Sequence, residues 1–408
     1  MDILKTYHNN KDIIDKTPLH KNNRLSRKYG CNIFLKREDL QLVRSFKARG
    51  AYNKLVRLST KDKQKGIVCA SAGNHAQGVA YSCSILDIKS DIFIPENTPL
   101  QKIKSIEKFS NETCNIHIIG CNFDECLYNA KEYCNKNNKI FIHPFDDMDI
   151  INGQGTIAVE IYEKIKPDII IGCIGGGGLM SGISLYSKHI NPDCKLYGVE
   201  SENCNAMYSS IKKDSIIKLE NCDTFVDGAA VSRVGELTFD ICKKYLEEIL
   251  LVNNGYLCKQ MIELYQDDGI ITEPAGALAI SGLSKLDPNI IKDKNVVCIV
   301  SGGNNDITRY PEINEIALRY DNLKHYFIIK FGQKPGILKK FVNNILGPHD
   351  DITRFEYIKK TNKSLGQVFV GIELSHPDNL QNIITNLEEN KFNYKYINED
   401  ELLMSYLV

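Results

Sequence analysis

The sequence has no net charge, no long apolar run and no tryptophan, and the first two absences exclude whole classes of protein. Lysine and arginine together number 51, as do aspartate and glutamate, so we expect no basic surface for nucleic acid. No apolar run approaches the length of a membrane span, and the first residues, MDILKTYHNNKDIIDK, lack the apolar stretch of a secretory signal. We therefore expect a cytoplasmic protein that binds neither nucleic acid nor membranes.

Cysteines are plentiful but are not arranged in a recognisable pattern. The 14 cysteines are scattered singly, without a C-x-x-C pair. This spacing predicts neither a metal site nor a disulfide framework, so we expect reduced, mostly buried thiols.

The length and the apolar patterning indicate two domains. A chain of 408 residues exceeds the usual size of one hydrophobic core. Short apolar runs alternate with amphipathic stretches, a pattern typical of a parallel sheet covered by helices. This α/β pattern continues to about residue 307. The apolar runs lie at 66–70, 90–94, 115–119, 139–142, 168–172, 195–200 and 295–300.

The last part of the chain has a different order of elements. A strand at Phe327–Phe331 precedes Pro335-Gly336 and a segment with helical spacing. Strand patterns around 353–359 and 368–374, a helix from Asp378 and a strand near 393–398 complete the order βαββαβ. That order predicts a small ferredoxin-like α+β domain. The predicted division is 1–310, a linker at 311–324, and 325–408.

Lys47 is the first candidate for chemistry. Most lysines are solvated surface charges. The small and apolar neighbours Ser45, Phe46, Ala48 and Gly50 would desolvate this amine, lower its pKa and make it able to form a Schiff base.

Glycine- and serine-rich segments follow three of the predicted strands. The run 175–178 can bring backbone N–H groups close to a phosphate, although most glycine runs are only turns. It completes neither a Walker loop nor a dinucleotide motif. The segment 71–78 can cap a helix, or can hold a substrate carboxylate while the Asn74 amide binds a cofactor oxygen. Ser301-Gly302-Gly303-Asn304 is a third loop at a strand end.

Together these segments resemble the motifs of threonine dehydratases, which are pyridoxal-phosphate (PLP) enzymes of fold type II. The resemblance implies an α/β catalytic domain of the tryptophan synthase β type, with two subdomains. The sequence departs from many relatives at Leu42, where they have proline. The matching segments are KREDLQLVRSFKARGAYN at 36–53, SAGNHAQG at 71–78, GGGGL at 175–179, EPAGA at 273–277 and SGGN at 301–304.

The resemblance assigns a role to individual residues. Lys47 is implied as the catalytic lysine that forms the Schiff base, Asn74 as the contact to the 3-oxygen of PLP, and Ser301 as the residue facing the pyridine nitrogen. The phosphate is expected on Gly175, Gly176, Gly177, Gly178 and Leu179. The substrate carboxylate is expected on Ser71, Ala72, Gly73, Asn74 and His75.

The C-terminal segment resembles the single ACT-like domain of biosynthetic threonine dehydratases. The segment is FGQKPGILKKFVNNILGPHDDITRFEYIKKTN at 331–362. The resemblance implies conversion of L-threonine, with L-serine as an alternative substrate, to the 2-oxo acid and ammonia, as the first step of isoleucine biosynthesis. It also implies L-isoleucine as an inhibitory effector and a homotetramer.

Other functions remain open at this stage. A related PLP reaction is the nearest alternative, namely serine dehydration, serine racemisation or threonine synthesis. An inactive amino-acid sensor is less favoured because it needs no Schiff-base lysine. The C-terminal domain can also serve assembly or stability rather than regulation.

Overall fold

The computed structural model describes residues 2–358 and 364–407, and its chain divides into two units between Thr308 and Arg309. In the first unit the apolar runs predicted as strands form two sheets. The described strands of this unit are β1 (Leu19–Lys21), β2 (Asn32–Arg37), β3 (Ile67–Ala70), β4 (Ser90–Ile94), β5 (Cys114–Ile118), β6 (Ile140–Phe141), β7 (Ile169–Cys173), β8 (Lys195–Ser201), β9 (Glu248–Val252) and β10 (Asn295–Val300).

Because most strands run parallel, their carboxyl ends lie along one edge of each sheet. The larger sheet has the order β1-β2-β10-β7-β8-β9 and is parallel except for β1. The smaller sheet has the order β5-β4-β3-β6 and is parallel throughout. Strands β4 and β7 are buried along their whole length because both faces of a parallel sheet are covered by helices.

Helices connect these strands, as the α/β pattern predicts. Helix α8 (Met148–Tyr162) packs against both α3 (Lys47–Arg57) and α9 (Gly178–Ile190). Helices α3, α5 (Asn74–Leu86) and α9 begin at the last residues of the segments 44–47, 71–74 and 175–178, respectively. The described helices are α1 (Asp2–Asn10), α2 (Asn23–Tyr29), α3 (Lys47–Arg57), α4 (Thr60–Lys65), α5 (Asn74–Leu86), α6 (Leu100–Glu107), α7 (Phe123–Lys136), α8 (Met148–Tyr162), α9 (Gly178–Ile190), α10 (Ala206–Lys212), α11 (Glu236–Tyr245), α12 (Asn254–Asp268), α13 (Pro274–Gly282) and α14 (Pro288–Ile291).

The second unit has the predicted ferredoxin-like order. Between its first and last helices the elements follow as βαββαβ. The strands form an antiparallel sheet in the order β12 (Asp351–Tyr357), β13 (Leu365–Glu373), β11 (Lys324–Gly332) and β14 (Asn393–Tyr396). Most of the segment 311–324, expected as a linker, is helical in α15 (Tyr310–Tyr320). The last residue of the strand expected at 353–359 lies outside the described residues. The elements are α15 (Tyr310–Tyr320), β11 (Lys324–Gly332), α16 (Ile337–Ile345), β12 (Asp351–Tyr357), β13 (Leu365–Glu373), α17 (Asn379–Glu389), β14 (Asn393–Tyr396) and α18 (Glu401–Leu407).

The expectation that every cysteine is a free thiol is wrong for one pair. Cys204 and Cys222 form a disulfide, with their Cα atoms 4.7 Å apart. Their separation of 18 residues gives no sequence signal, because the fold brings the two together. Most of the other cysteines are buried free thiols.

None of the helices within residues 2–358 and 364–407 combines the length and the hydropathy that a membrane span requires.

Candidate active site

The amine of Lys47 lies beside the segment after β6 and near Cys173, the last residue of β7. Lys47 is the first residue of α3, and its Nζ donates to the carbonyl oxygen of Pro144 at 3.0 Å. Desolvation lowers the pKa of the Lys47 amine to about 8, although the nearby Cys173 and Glu273 act in the opposite direction. At pH 7 roughly a tenth of this amine is therefore unprotonated, far more than at the ordinary pKa of 10.5, and the unprotonated form is the one that forms a Schiff base.

Backbone pairing brings Lys47 to the loop that contains Ser301. The N–H of Phe46 donates to the carbonyl of Ser301 at 3.1 Å, and the N–H of Gly303 donates to the carbonyl of Arg44 at 2.9 Å. These bonds hold the segment before α3 along the end of β10. Two site residues that are 254 positions apart in sequence (301 minus 47) thus lie in adjacent segments.

A short segment after β6, residues 144–146, contacts both Lys47 and the glycine loop at 175–178. Pro144 accepts the Lys47 hydrogen bond, while the ring of Phe145 fills the space beside Gly176. A Cβ atom at Gly176 would lie 2.2 Å from that ring, so no side chain fits there. Asp146 anchors the segment by accepting from the N–H groups of Glu236 and Thr238.

The glycine loop joins β7 to the start of α9. Gly177 has a φ of +94°, which favours glycine, and Thr238 Oγ1 donates to the Gly176 carbonyl at 2.6 Å. The first N–H groups of a helix have no partner within the helix, and the helix dipole is positive at that end. The start of the 13-residue α9, at Gly177 and Gly178, can therefore offer backbone donors to an anion, while the Leu179 side chain is buried.

The loop after β3 is partly exposed up to the start of α5. Ser71, Ala72, Gly73 and Asn74 are each partly accessible, and Ser71 Oγ accepts from the Gly73 N–H at 3.2 Å. His75 differs, because its ring is buried and its Nε2 lies 3.1 Å from the carbonyl oxygen of Ile142. Burial lowers the pKa of His75 to about 3, so the ring is neutral and is bonded to the backbone.

Asn74 is part of a hydrogen-bonded chain that the sequence did not reveal. Its Nδ2 donates to Glu273 Oε1 at 2.7 Å, and its Oδ1 accepts from Asn304 Nδ2 at 2.7 Å. Glu273 belongs to the EPAGA segment, to which no separate role was assigned. The available signal was an acidic residue directly before a proline and small apolar residues, a setting that is unusual for a solvated carboxylate.

Ser301 lies at the end of β10 and is buried. Its Oγ lies 3.1 Å from the carbonyl oxygen of Ala275, to which it donates. The Cys173 thiol is beside it. Burial raises the pKa of that thiol to about 11, although a hydrogen bond with Ser301 opposes the shift. Lys47 and Glu273 are titratable groups that act on the same Cys173 thiol, whereas the Ser301 hydroxyl is neutral.

Comparison with known proteins places this arrangement in a class. The family model described as pyridoxal-phosphate dependent enzyme matches residues 11–302. A second family model, described as the C-terminal regulatory domain of threonine dehydratase, matches residues 315–407. The class is therefore that of PLP-dependent enzymes, with a regulatory domain added.

Individual relatives narrow the class further. The chain is 47% identical over 408 residues to the biosynthetic L-threonine dehydratase of Bacillus subtilis, covering 100% of this chain and 96% of that protein. Threonine deaminase isoform 2 of Solanum lycopersicum has a TM-score of 0.73 and 38% identity, covering 78% of this chain and 91% of that one. Serine racemase of Dictyostelium discoideum has a TM-score of 0.70 and 31% identity, covering 75% and 98%. This chain belongs to the biosynthetic threonine dehydratase family of PLP-dependent enzymes.

The residues around Lys47 fit PLP, the cofactor of this family. A desolvated amine, a glycine loop at a helix start and a neutral hydroxyl match its aldehyde, phosphate and pyridine nitrogen. The hydroxyl of Ser45 is also buried without a hydrogen-bond partner, next to Gly302. In the described residues, no group of three or more His, Cys, Asp or Glu side chains is placed to hold a metal ion.

Proposed function

We propose that this chain uses PLP to convert L-threonine to 2-oxobutanoate and ammonia, as the first step of isoleucine biosynthesis. One observation supports this reaction over the related ones. The chain combines the PLP catalytic region with a segment matching the regulatory domain of threonine dehydratase. The serine racemase structure covers only 75% of this chain, and that share is close to the length of the catalytic unit alone.

Residues of the first unit would hold the cofactor. Lys47 would bind it covalently, and Gly175, Gly176, Gly177, Gly178 and Leu179 would hold its phosphate. Asn74 would bind its 3-oxygen and Ser301 would face its ring nitrogen. When bound, PLP supplies an electron sink that stabilises negative charge on the substrate Cα.

Lys47 has two tasks in this reaction. As an unprotonated amine it would be the nucleophile that holds the cofactor. When it is not bonded to the cofactor, the same nitrogen would accept the proton from the substrate Cα. The low pKa that desolvation gives the amine suits both tasks near neutral pH.

Two further groups orient the reacting molecules. The N–H groups at the start of the 13-residue α5, in the segment 71–75, would bind the substrate carboxylate. Ser301 carries no charge, so it does not enforce protonation of the pyridine nitrogen as a carboxylate would. An uncharged Ser301 would suit loss of the β-hydroxyl, which leaves as water, over racemisation at Cα.

The C-terminal unit is proposed as an ACT-like regulatory domain for L-isoleucine. We assign 1–310 to catalysis, 311–324 to the connection and 325–408 to regulation. Segments near Pro335-Gly336 and at 350–355 are the proposed effector pocket. Inhibition requires isoleucine to bind a less active state more tightly, with a coupling of about 1–3 kcal/mol. A homotetramer in the cytosol is also proposed, on the family resemblance alone.

The test is a product assay on purified full-length protein. L-threonine should give 2-oxobutanoate and ammonia in equal amounts, and added L-isoleucine should lower the rate. L-serine and O-phosphohomoserine serve as the competing substrates. Threonine formed from O-phosphohomoserine, or serine racemised without a 2-oxo acid from threonine, would overturn the assignment. Activity that is unchanged by isoleucine would reject the regulatory part only.

A further inference from the structure

Glu273 is a buried carboxyl that the proposed reaction leaves without a role. It directly precedes α13, its side chain is buried, and its N–H donates to the Gly302 carbonyl at 3.2 Å. Two glycines leave room for its carboxyl group. A Cβ atom would lie 2.3 Å from Glu273 Oε1 at Gly302, and 3.2 Å from it at Gly228. The carboxyl is thus held in place by segments that pack closely on two sides.

The hydrogen bonds around this carboxyl fix the orientation of the Asn74 amide. Asn304 Nδ2 donates to the Val43 carbonyl at 2.8 Å and to Asn74 Oδ1 at 2.7 Å, so both of its hydrogens are used. Because a carbonyl oxygen only accepts hydrogen bonds, the side-chain nitrogen of Asn304 faces both Val43 and Asn74. The Asn74 side chain must therefore turn its oxygen towards Asn304. The Asn74 nitrogen then faces Glu273 Oε1 at 2.7 Å. One N–H of Asn74 is left for a ligand, and it is a donor.

A donor at this position suits an anionic oxygen and not a protonated one. If the Asn74 amide were turned over, its oxygen would face the Glu273 carboxylate and its nitrogen would face the Asn304 amide hydrogens. Both contacts would then be repulsive. The ionised form of Glu273 therefore selects the orientation in which Asn74 donates.

Several groups of mixed sign surround Glu273. Burial raises its pKa to about 7, and Asp227 adds to the rise. The N–H groups of Asn74 and Asn304, and the Lys102 ammonium, oppose it. Lys102 also pairs with Asp227, which reduces the net effect of both. The Lys47 amine and the Cys173 thiol also lie near Glu273. The pKa of the Cys173 thiol is raised to about 11, so this thiol is neutral near pH 7.

We propose that Glu273 is a positioning residue, which as a carboxylate fixes the Asn74 amide for a cofactor oxygen and on protonation weakens that hold. The inference rests on the proposed function, because it takes Asn74 as the contact to PLP. An ionised acceptor makes a hydrogen bond roughly twice as strong as a neutral one. Glu273 is mostly protonated below its pKa. The strong hydrogen bond between Asn74 and the Glu273 carboxylate is therefore present above about pH 7 and weakens as the pH falls.

The test is a pH titration of the visible absorption of bound PLP in the full-length holoenzyme, without substrate. The wild type should show a transition with a midpoint near pH 7. Glu273→Gln, which cannot ionise, should lose that transition and bind PLP roughly tenfold or more weakly. A folded Glu273→Gln holoenzyme with the wild-type midpoint and PLP affinity would overturn the proposal.

Two further variants separate positioning from a merely structural role. Asn304→Ala removes the second contact to the Asn74 amide, so PLP affinity should fall while the midpoint stays. Glu200→Gln is the matched control. Glu200 is also a buried carboxyl, with a pKa raised by burial to about 8, but it accepts from the N–H groups of Met207 and Tyr208. This control should keep the wild-type transition and its midpoint, and a Glu200→Gln variant that lost the transition as Glu273→Gln does would overturn the proposal.

The outcome also separates this inference from the proposed function. The titration needs bound PLP but no turnover, whereas the threonine assay of the wild type tests the reaction. If Glu273→Gln does not fold with PLP, Glu273→Asp takes its place. It keeps the charge but withdraws it by one methylene, so both the midpoint and the PLP affinity should change. An unchanged midpoint together with an unchanged affinity would reject the positioning role, even in a fully active threonine dehydratase.

Discussion

The first unit of the chain differs from the second in that it buries a cluster of charged side chains in addition to its apolar core. In the first unit, Arg49 and Lys36 are buried among the carboxylates of Glu38 and Glu160, close in sequence to the site lysine. In the second unit the core is made largely of aliphatic and aromatic side chains. Its aromatic members include Phe327, Phe331, Phe341 and Phe392. Buried charge needs fixed partners and so holds a backbone in one arrangement, whereas apolar packing tolerates small changes.

The largest expected effect is the loss of the site amine. Lys47→Ala should lower threonine dehydration by at least about a thousandfold, because nucleophile and base are removed together. The fold should survive, because the amine is held by a hydrogen bond to the Pro144 carbonyl and not by an ion pair within the described residues. Activity and a calorimetric melting curve of the variant measure the two effects.

Borohydride reduction of the wild type provides the control for this prediction. It should fix the cofactor to a peptide that contains Lys47. A label on a different lysine, or a Lys47→Ala variant that still turns over threonine at a similar rate, would show that the Schiff-base assignment is wrong.

The next effect concerns the buried charges, and it is one of stability. Arg49 donates to Glu38 at 2.7 Å and to Glu160 at 2.6 Å. Arg49→Met leaves these two buried carboxylates with one cation, Lys36, and should lower the free energy of unfolding by about 3–5 kcal/mol. The control is Arg57→Met in the same helix. Its partner Asp149 is 3.1 Å away at a partly exposed site, so the cost should stay below about 1 kcal/mol.

The pH dependence of this effect has a definite sign. Burial acts to raise the pKa of Glu38, but Arg49 and Lys36 outweigh it and hold that pKa below its usual value of 4.5. A carboxyl whose pKa is lower in the folded protein than in the unfolded chain stabilises the fold at pH values above the unfolded-chain pKa. That contribution is lost as the pH falls through the folded-state pKa. The gap between wild type and Arg49→Met should therefore narrow in acid. Urea denaturation at several pH values measures it, and a gap that widens in acid would contradict the assignment.

Local patterns predicted the fold better than they predicted the site. The apolar runs at 66–70 and 168–172 gave strands because a buried parallel strand needs a continuous apolar sequence. The chain Asn304–Asn74–Glu273 escaped notice because its members come from segments up to 230 residues apart. A carboxylate is ordinarily solvated, and the local sequence gives only a weak sign that Glu273 is buried, namely the proline and small apolar residues that follow it. The Phe145 ring beside Gly176 was missed for the same reason of distance in sequence.

The smallest effect is expected in the apolar core of the second unit. Phe341 is buried, and its ring lies 5.3 Å from that of Phe331 and 5.8 Å from that of Phe392, between centroids. Phe341→Leu keeps the core apolar but removes part of its volume, so the cost should be about 1–2 kcal/mol. Val342→Ala, at an exposed position next in sequence, is the control and should cost less than about 0.5 kcal/mol.

This last change also tests whether the two interiors have separate tasks. Hydrogen exchange followed by peptide should become faster in β11, α16 and β13, while peptides around Lys47 and the visible absorption of PLP stay as in the wild type. Threonine dehydration without effector should change little, and a higher isoleucine concentration should be needed for half-inhibition, because loosening the domain weakens the effector-binding state. If dehydration fell as strongly as isoleucine sensitivity, the second unit would have to support catalysis directly, and its role could not be regulation alone.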